Sequence, residues 1–223
     1  AILENGFITI KKGDWKIRVE KVTHVPITFN GTVSFMIHNA LAASLAAFVW
    51  GFKIEDIRLS LETFVPSAAH TPGRMNIFDF KDFKLMIDFA HNPAGLIGIK
   101  EFLSTLDAKH HTGIISGTGD RRDEDVREIG RISAQMFDDI IICQEKYLRG
   151  RSYENIVTLI EEGIREVKPE MPVRIIRKGE EALAYAIENV QTGSFITIIG
   201  DSVANALEAV QSYQDKEAGI YEQ

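Results

Sequence analysis

The first third of the chain combines an alternating pattern with two helical ones. Residues 7–22 alternate apolar and polar side chains around Lys12-Gly13-Asp14, which predicts a β-hairpin with its turn at the glycine. The alanine- and leucine-rich stretch Ile37 to Trp50 predicts a helix that ends at the following glycine. Apolar positions at helical spacing predict a second helix from Ile54 to Thr63, and both helices are expected to contribute to a core.

Beyond residue 66 the pattern changes to short apolar runs that alternate with longer helical stretches. Two prolines and a glycine between Pro66 and Gly73 predict a domain boundary, which separates residues 1–66 from residues 67–223. The alternation predicts an α/β fold with a mostly parallel sheet and helices on both faces. Predicted strands cover 84–87, 112–115, 139–143, 173–176 and 195–199, and predicted helices cover 93–106, 123–136, 153–166, 179–189 and 202–212. The final residues from Asp215 are expected to form a frayed tail.

Composition and charge narrow the possible partners. The 223 residues are 45% hydrophobic and 26% charged, which is ordinary for a soluble globular protein. A net charge of −7 gives no general attraction to nucleic acid or to an anionic membrane. With no leader-like start, no membrane-length apolar run and a single cysteine, the chain is expected to be cytoplasmic. Cys143 is expected to be a small buried residue, and the strand-like opening without methionine suggests a piece of a longer protein.

Three polar clusters adjoin predicted strands, at the edge of an open parallel sheet where ligands bind. They are Gly73-Arg74, the run Asp88 to Pro93, and the glycine-rich turn 117–123. An arginine fork suits phosphate, and a strand-end acid can accept hydrogen bonds from ribose hydroxyls. Together the clusters favour a nucleotide or anionic-substrate site. Taken singly, Asp88 can instead cap a turn, His91 can be an exposed turn residue, and Arg74 can be a surface arginine that begins a strand.

Two further turns have alternative interpretations. The loop that carries Arg149 and Arg151 is either a solvated loop or an anion contact, and Asp201-Ser202 is expected first to cap a helix. The chain contains no Gly-Lys dipeptide, so it lacks the phosphate-binding Walker loop. Its six histidines show no metal-ligand spacing, and no metal-binding residue is predicted.

The order of these motifs resembles that of the Mur ligase superfamily. The shared signatures are Gly73-Arg74 and the run Asp88-Phe-Ala-His-Asn-Pro93, and the likeness spans nearly the whole chain. Gly119-Asp-Arg-Arg-Asp123 followed by Arg149-Gly-Arg151 is similar to the cyanophycin branch of that superfamily. The resemblance implies that residues 1–66 are the tail of a central ATPase domain. It also implies that residues 67–223 are a Mur ligase C-terminal domain with a Rossmann-like sheet.

The resemblance also implies an ATP-dependent amide ligase. ATP with Mg²⁺ phosphorylates a carboxylate, and an amine attacks the acyl phosphate. In the cyanophycin branch the amine is arginine and the carboxylates belong to a poly-aspartate backbone. By position, the resemblance makes Asn39 an adenine contact, Arg74 a phosphate contact and Asp88 the ribose acid, with His91 and Asn92 beside it. The resemblance likewise implies that Asp120 and Arg121 are the catalytic pair that faces the incoming amino acid or the acyl phosphate.

Other functions remain open at this stage. One is another Mur-type ligase, of the peptidoglycan-precursor or folylpolyglutamate class. Another is a non-catalytic nucleotide-binding module, and a homo-oligomer is possible in every case. Because the Walker loop and the Mg²⁺-binding acids of the superfamily are not in this chain, the chain alone is expected to have negligible ligase activity.

Overall fold

The chain folds as two compact units that divide between Pro66 and Ser67. The computed structural model describes residues 1–117, 119–145 and 147–219. Thr118 of the glycine-rich turn and the last four residues of the predicted tail lie outside this description. Within the described ranges, no helix has both the length and the apolar character needed to cross a membrane.

The first unit holds a three-stranded antiparallel sheet and two α-helices. The predicted hairpin is present, and a short strand that the sequence pattern did not predict pairs with its first strand. That strand has only three residues, too few for an alternating pattern to be recognised. The elements are β1 (Ile2–Glu4), β2 (Phe7–Lys12), β3 (Trp15–Lys21), α1 (Ser34–Trp50) and α2 (Ile54–Thr63), with short 3₁₀ turns at Val22–His24 and Pro26–Thr28.

Helix α1 contributes to the core on one side only. It begins at Ser34, three residues earlier than predicted, and ends as predicted at Gly51, whose φ is 102°. Met36 and Ala40 are buried, whereas Val49 is 77% exposed and Trp50 is 85% exposed. The expectation that this helix contributes to a core is therefore confirmed for its buried side, while Val49 and Trp50 are exposed within this unit.

The second unit contains a six-stranded sheet in the order β4-β5-β9-β6-β7-β8. Its last five strands are parallel, as predicted from their short and mostly apolar runs, and all of them except the edge strand β8 are largely buried. An additional strand, β4, pairs antiparallel with β5 at the sheet edge. The strands are β4 (Asn76–Asp79), β5 (Phe83–Asp88), β6 (His111–Ile115), β7 (Asp139–Ile142), β8 (Val173–Ile175) and β9 (Ser194–Ile199).

Helices cover both faces of this sheet, which confirms the predicted fold class. Neighbouring residues of β6 show the two faces: Ile114 packs with α6 and α7, whereas a Cβ at Gly113 would meet Phe137, which directly follows α4. Helix α4 packs against both α3 and α5. The helices are α3 (Pro93–Leu103), α4 (Asp123–Met136), α5 (Tyr153–Val167), α6 (Gly179–Glu188) and α7 (Val203–Glu217). Since α7 extends to Glu217, the prediction of a frayed tail from Asp215 is wrong for its first residues.

Candidate functional site

The carboxyl ends of neighbouring parallel strands lie side by side in the second unit. Asp88 at the end of β5 is in register with Ile199 of β9, which is in register with Ile115 of β6. The chain leaves β6 towards α4 on one face and leaves β9 towards α7 on the other. Such a point, where successive connections diverge, forms the ligand-binding crevice in open α/β sheets.

Asp88 holds the turn before β4 against the end of β5. Its Oδ2 accepts a hydrogen bond of 2.9 Å from the backbone N–H of Met75, and its Oδ1 accepts one of 2.7 Å from Ala90. The residue is only 5% exposed. Burial raises the pKa of Asp88, while the two N–H donors and the charge of Arg74 oppose that effect. Each oxygen of the carboxylate is therefore held by one backbone donor.

Arg74 is exposed on this turn, in agreement with the interpretation of a surface arginine that begins a strand. Its guanidinium carbon lies 4.9 Å from the ring centroid of Phe89, and it forms no ion pair with any residue that the structure describes. The preceding Gly73 has a φ of +67°, and a Cβ there would lie 2.6 Å from Val203 Cγ2. A glycine is thus required for the close packing that presents Arg74.

His91 and Asn92 lie at the start of α3. Asn92 occupies the N-cap position, and its Oδ1 accepts a 2.9 Å hydrogen bond from the N–H of Gly95. His91 Nδ1 lies 3.2 Å from the carbonyl oxygen of Phe89, and the imidazole contacts the Phe89 ring edge-on. The helix capping considered for Asp88 is thus performed by Asn92. A contact of either residue with a base or phosphate stays a prediction.

Asp120 and Asp201 are joined by one arginine. Arg149 donates to Asp120 Oδ2 at 3.0 Å through Nη1 and to Asp201 Oδ2 at 2.8 Å through Nη2. The hydrogen bond from Arg149 lowers the pKa of Asp120. Of the two interpretations of this loop, the structure shows Arg149 paired with acids of its own chain. The bridge brings together the loops that follow β6, β7 and β9.

Arg121 lies beside this bridge and is held through its backbone. Its carbonyl oxygen accepts a 2.8 Å hydrogen bond from Arg151, which also pairs with Asp123 at 2.7 Å. The Nε of Arg121 is buried and has no hydrogen-bond partner among the described residues. A buried donor without an acceptor is costly, so this nitrogen is a position where an added anion would be favourable.

Sequence reasoning missed Glu145, the most heavily bonded acid at this edge. It is 3% exposed and accepts hydrogen bonds from the Ser116 hydroxyl, from the Asp201 N–H at 2.9 Å, and from the Ser202 hydroxyl at 2.8 Å. Burial, with the nearby Asp201 carboxylate, raises the pKa of Glu145 to about 7. An acid three residues after the end of β7 is the same signal that identified Asp88, and it could have found Glu145 too.

The expected helix-capping position of Asp201-Ser202 is confirmed, whereas capping by the side chain is not. Ser202 occupies the N-cap position of α7, but its side chain makes no capping hydrogen bond and instead donates to Glu145. The adjacent Gly200 is required here, because a Cβ would collide with the Glu145 carboxylate and lie 2.8 Å from Ser116 Oγ. The Ser202 hydroxyl therefore bonds Glu145, an acid that the sequence analysis did not identify.

A cavity of about 360 Å³ lies between the sheet and helices α6 and α7. Ile87, Ile114 and Leu183 form apolar walls, and Glu145 lines the cavity with its serine partners. Cys143 also lines it and is only partly buried, which corrects the expectation of a buried residue. The apolar surroundings raise the pKa of Cys143 to about 12, so it remains a thiol at neutral pH.

Asn39 belongs to the first unit and is exposed there on α1. It lines a groove of about 590 Å³ that α1 and α2 form with mostly apolar side chains, including Phe52 and Phe64. Its Nδ2 lies 3.8 Å from Met36 Sδ. An apolar groove that also carries an amide has the chemistry that a purine ring requires.

The described carboxylates at this sheet edge do not form a magnesium site. Both oxygens of Asp88 accept backbone hydrogen bonds, and Asp120 and Asp201 each accept a hydrogen bond from Arg149. Within the described parts of the chain, no group of three or more histidine, cysteine or acidic residues is arranged to hold a metal ion. These residues therefore do not fit Mg²⁺, which requires several free oxygen ligands.

Comparison with known proteins finds a family match and similar folds. The family described as "Mur ligase, glutamate ligase domain" matches residues 73–202. A cyanophycin synthetase of Geminocystis herdmanii is 42% identical over 96% of this chain, which spans 24% of that protein. A pseudomurein peptide ligase type C of Methanothermus fervidus has a similar fold, with a TM-score of 0.64 and 22% identity over 94% of this chain and 40% of that one. E. coli FolC in complex with ADP gives a TM-score of 0.63 and 18% identity over 79% of this chain and 40% of that one.

Proposed function

This chain belongs to the Mur ligase, glutamate ligase domain family, and from that premise we propose that it is part of an ATP-dependent amide ligase. The reaction joins arginine to the side-chain carboxyls of a poly-aspartate backbone. The observation that carries this proposal is the 42% identity to a cyanophycin synthetase over 96% of the chain. The chain spans 24% of that relative, and the proposal assigns the other parts of the ligase, including the Walker loop, to residues outside this chain.

Nucleotide binding is proposed to use Arg74 and Asp88 of the second unit, and Asn39 of the first unit is proposed separately as an adenine contact. Asn39 borders an apolar groove suited to adenine, and the guanidinium of Arg74 is exposed and without an ionic partner among the described residues. Asp88 is the ribose acid in this scheme, and its hydrogen bonds to backbone N–H groups leave one lone pair on each oxygen for a hydroxyl donor. His91 and Asn92 flank it. The ADP in the FolC complex is consistent with a nucleotide in a protein of this fold.

The amine side of the site is proposed to use the loops after β6, β7 and β9. Asp120 and Asp201 place two carboxylates around one arginine, which leaves a net negative charge that favours a cationic amino acid. The unpartnered Nε of Arg121 would donate to the phosphate oxygens of the activated carboxylate. ATP supplies the phosphoryl group that makes the carboxylate reactive, and the protein acts by orienting the amine and neutralising charge. Magnesium ligands are assigned to residues outside this chain.

The test measures phosphate release by the full-length protein with ATP, Mg²⁺ and an aspartate-containing acceptor. Arginine should stimulate release, while diaminopimelate and glutamate should not. Stimulation by diaminopimelate or glutamate alone would identify another Mur-type ligase. No stimulation by any amine, with ATP still bound, would identify a non-catalytic nucleotide-binding module.

A matched assay examines this chain by itself. We expect negligible arginine-dependent ATP hydrolysis, because the chain has no Walker loop and its described carboxylates do not offer a magnesium site. Hydrolysis at a rate comparable to that of the full-length protein would contradict the proposal that the Walker loop and the magnesium ligands lie outside this chain.

A further inference from the structure

The Glu145 side chain connects three of the loops at the carboxyl edge. It follows β7, it bonds Ser116 at the end of β6, and it bonds both Asp201 and Ser202 after β9. The absence of a Cβ at Gly200 is what allows these groups to approach. The arrangement is buried, so water does not compete for the carboxylate.

The same residue is connected to the acidic bridge through Asp201. The backbone N–H of Asp201 donates to Glu145, and the side chain of Asp201 accepts from Arg149, which in turn donates to Asp120. A change at Glu145 therefore has a continuous hydrogen-bonded route, only two residues long, to the groups assigned to the amine substrate.

We propose that Glu145 is a positioning residue, which holds the Asp201–Arg149–Asp120 bridge in the arrangement that receives the amine substrate. The effect on binding of the amine substrate rests on the proposed function. The structural part of the proposal, that Glu145 determines the state of the bridge, is independent of any activity.

The partners of Glu145 allow it to exist in two protonation states. Two of its three donors are serine hydroxyls, which can rotate and become acceptors when the carboxyl group carries a proton. The third donor, the Asp201 N–H, is satisfied by either state. The pKa of Glu145 near 7 places the change between these states at neutral pH.

The charged groups around Glu145 determine how its ionisation affects binding of the amine substrate. Asp201 and the Cys143 thiol lie beside it, and Lys178 and Glu180 line the same cavity from α6. Lys178 is paired with Glu181 at 2.7 Å, and no described residue forms an ion pair with Glu145. Ionised Glu145 thus adds one uncompensated negative charge behind Asp201, which favours a cationic amine in front of it.

A first experiment follows the bridge by NMR in this chain. The Asp201 amide and the Arg149 guanidinium signals should both titrate with a midpoint near pH 7, and both should lose that titration in Glu145→Gln. Glutamine keeps the size of the side chain and, with one N–H₂ group, reproduces the protonated state. Glu180→Gln removes an exposed acid from the same cavity and should leave both titrations unchanged. If the Asp201 signal titrates and the Arg149 signal does not, the positioning role is refuted.

A second experiment measures the kinetics of the full-length protein between pH 6 and 8. The KM for arginine should fall about 3- to 10-fold as pH rises in the wild type, as expected for one partly screened charge near the substrate. In Glu145→Gln the KM should stay at its higher value at every pH, with kcat changed by less than about twofold. Equal pH dependence of KM in wild type and variant would overturn the proposal. If the full-length protein shows no arginine-dependent turnover, the proposed function is wrong. The NMR titration would still decide whether Glu145 determines the state of the Asp201–Arg149–Asp120 bridge.

Discussion

Asp88 and Glu145 are two buried acids at the ends of strands in one sheet, yet they are held in opposite ways. Both oxygens of Asp88 accept hydrogen bonds from backbone N–H groups, which can never act as acceptors. Glu145 accepts mainly from serine hydroxyls, which can reverse direction. Both acids are buried, so the type of hydrogen-bond donor distinguishes them. Asp88 fixes a turn, whereas Glu145 can change its charge.

Replacing Asp88 should have the largest effect on stability. Asp88→Ala leaves the N–H groups of Met75 and Ala90 buried without acceptors, which should lower the free energy of unfolding by about 4 kcal/mol. Asp88→Asn keeps one acceptor oxygen and should lose about half as much. Urea unfolding of the chain at neutral pH measures both values, and a loss below about 1 kcal/mol for alanine would show that the turn does not depend on this acid.

The stability of the Glu145 network should depend on pH. The folded pKa of Glu145, about 7, lies above its ordinary value of 4.5, so the folded chain binds more protons than the unfolded chain between these values. The contribution is therefore present below pH 4.5 and is lost as pH rises to 7, by about 3 kcal/mol. Unfolding of wild type and Glu145→Gln in parallel should show this change as the difference between them. A difference that stays constant over the window would mean that Glu145 ionises normally.

A methyl group at Gly200 should disturb the Glu145 corner by a smaller amount. Gly200→Ala forces the loop away from Glu145 and Ser116, and overpacking of this kind costs about 2 kcal/mol. Gly179→Ala is the matched control, because a Cβ there meets nothing within 4 Å. Thermal unfolding should give a lower melting temperature for Gly200→Ala than for Gly179→Ala. Equal melting temperatures would show that the space around Gly200 can accept a methyl group.

Removal of Arg149 should have the smallest effect on stability. Arg149→Gln breaks two ion pairs that lie in contact with solvent, where such pairs contribute little to folding. The melting temperature should hardly change, whereas the KM for arginine in the full-length protein should rise as the bridge between Asp120 and Asp201 opens. A large loss of stability without any kinetic effect would make Arg149 a structural residue only.

The sheet could be predicted because its strands are buried on both faces. Runs such as Ile140 to Ile142 are apolar throughout and are separated by amphipathic helices, so pattern alone identifies them. β4 could not be found this way, since Asn76–Asp79 has polar residues at both ends and is held as a strand by pairing with β5. Tertiary contacts decide such edge strands.

The candidate site was only partly predictable for a related reason. Residue type and strand-end position suffice to select Asp88, Arg74 and Asp120 as candidates. Which acid meets which donor depends on the order of strands in the sheet, where β9 returns between β5 and β6. That return places Ser202 against Glu145, and no local pattern contains this information.

The most direct test of the ligase assignment is the ATP dependence of arginine-stimulated phosphate release by the full-length protein. Arg74→Ala should raise the KM for ATP by about 10-fold or more, because it removes a charged donor to phosphate. Arg122→Ala, which removes an exposed arginine paired with Asp125, should leave that KM unchanged. An Arg74→Ala protein with wild-type ATP dependence would contradict the assignment of this sheet edge as a nucleotide-dependent ligase site.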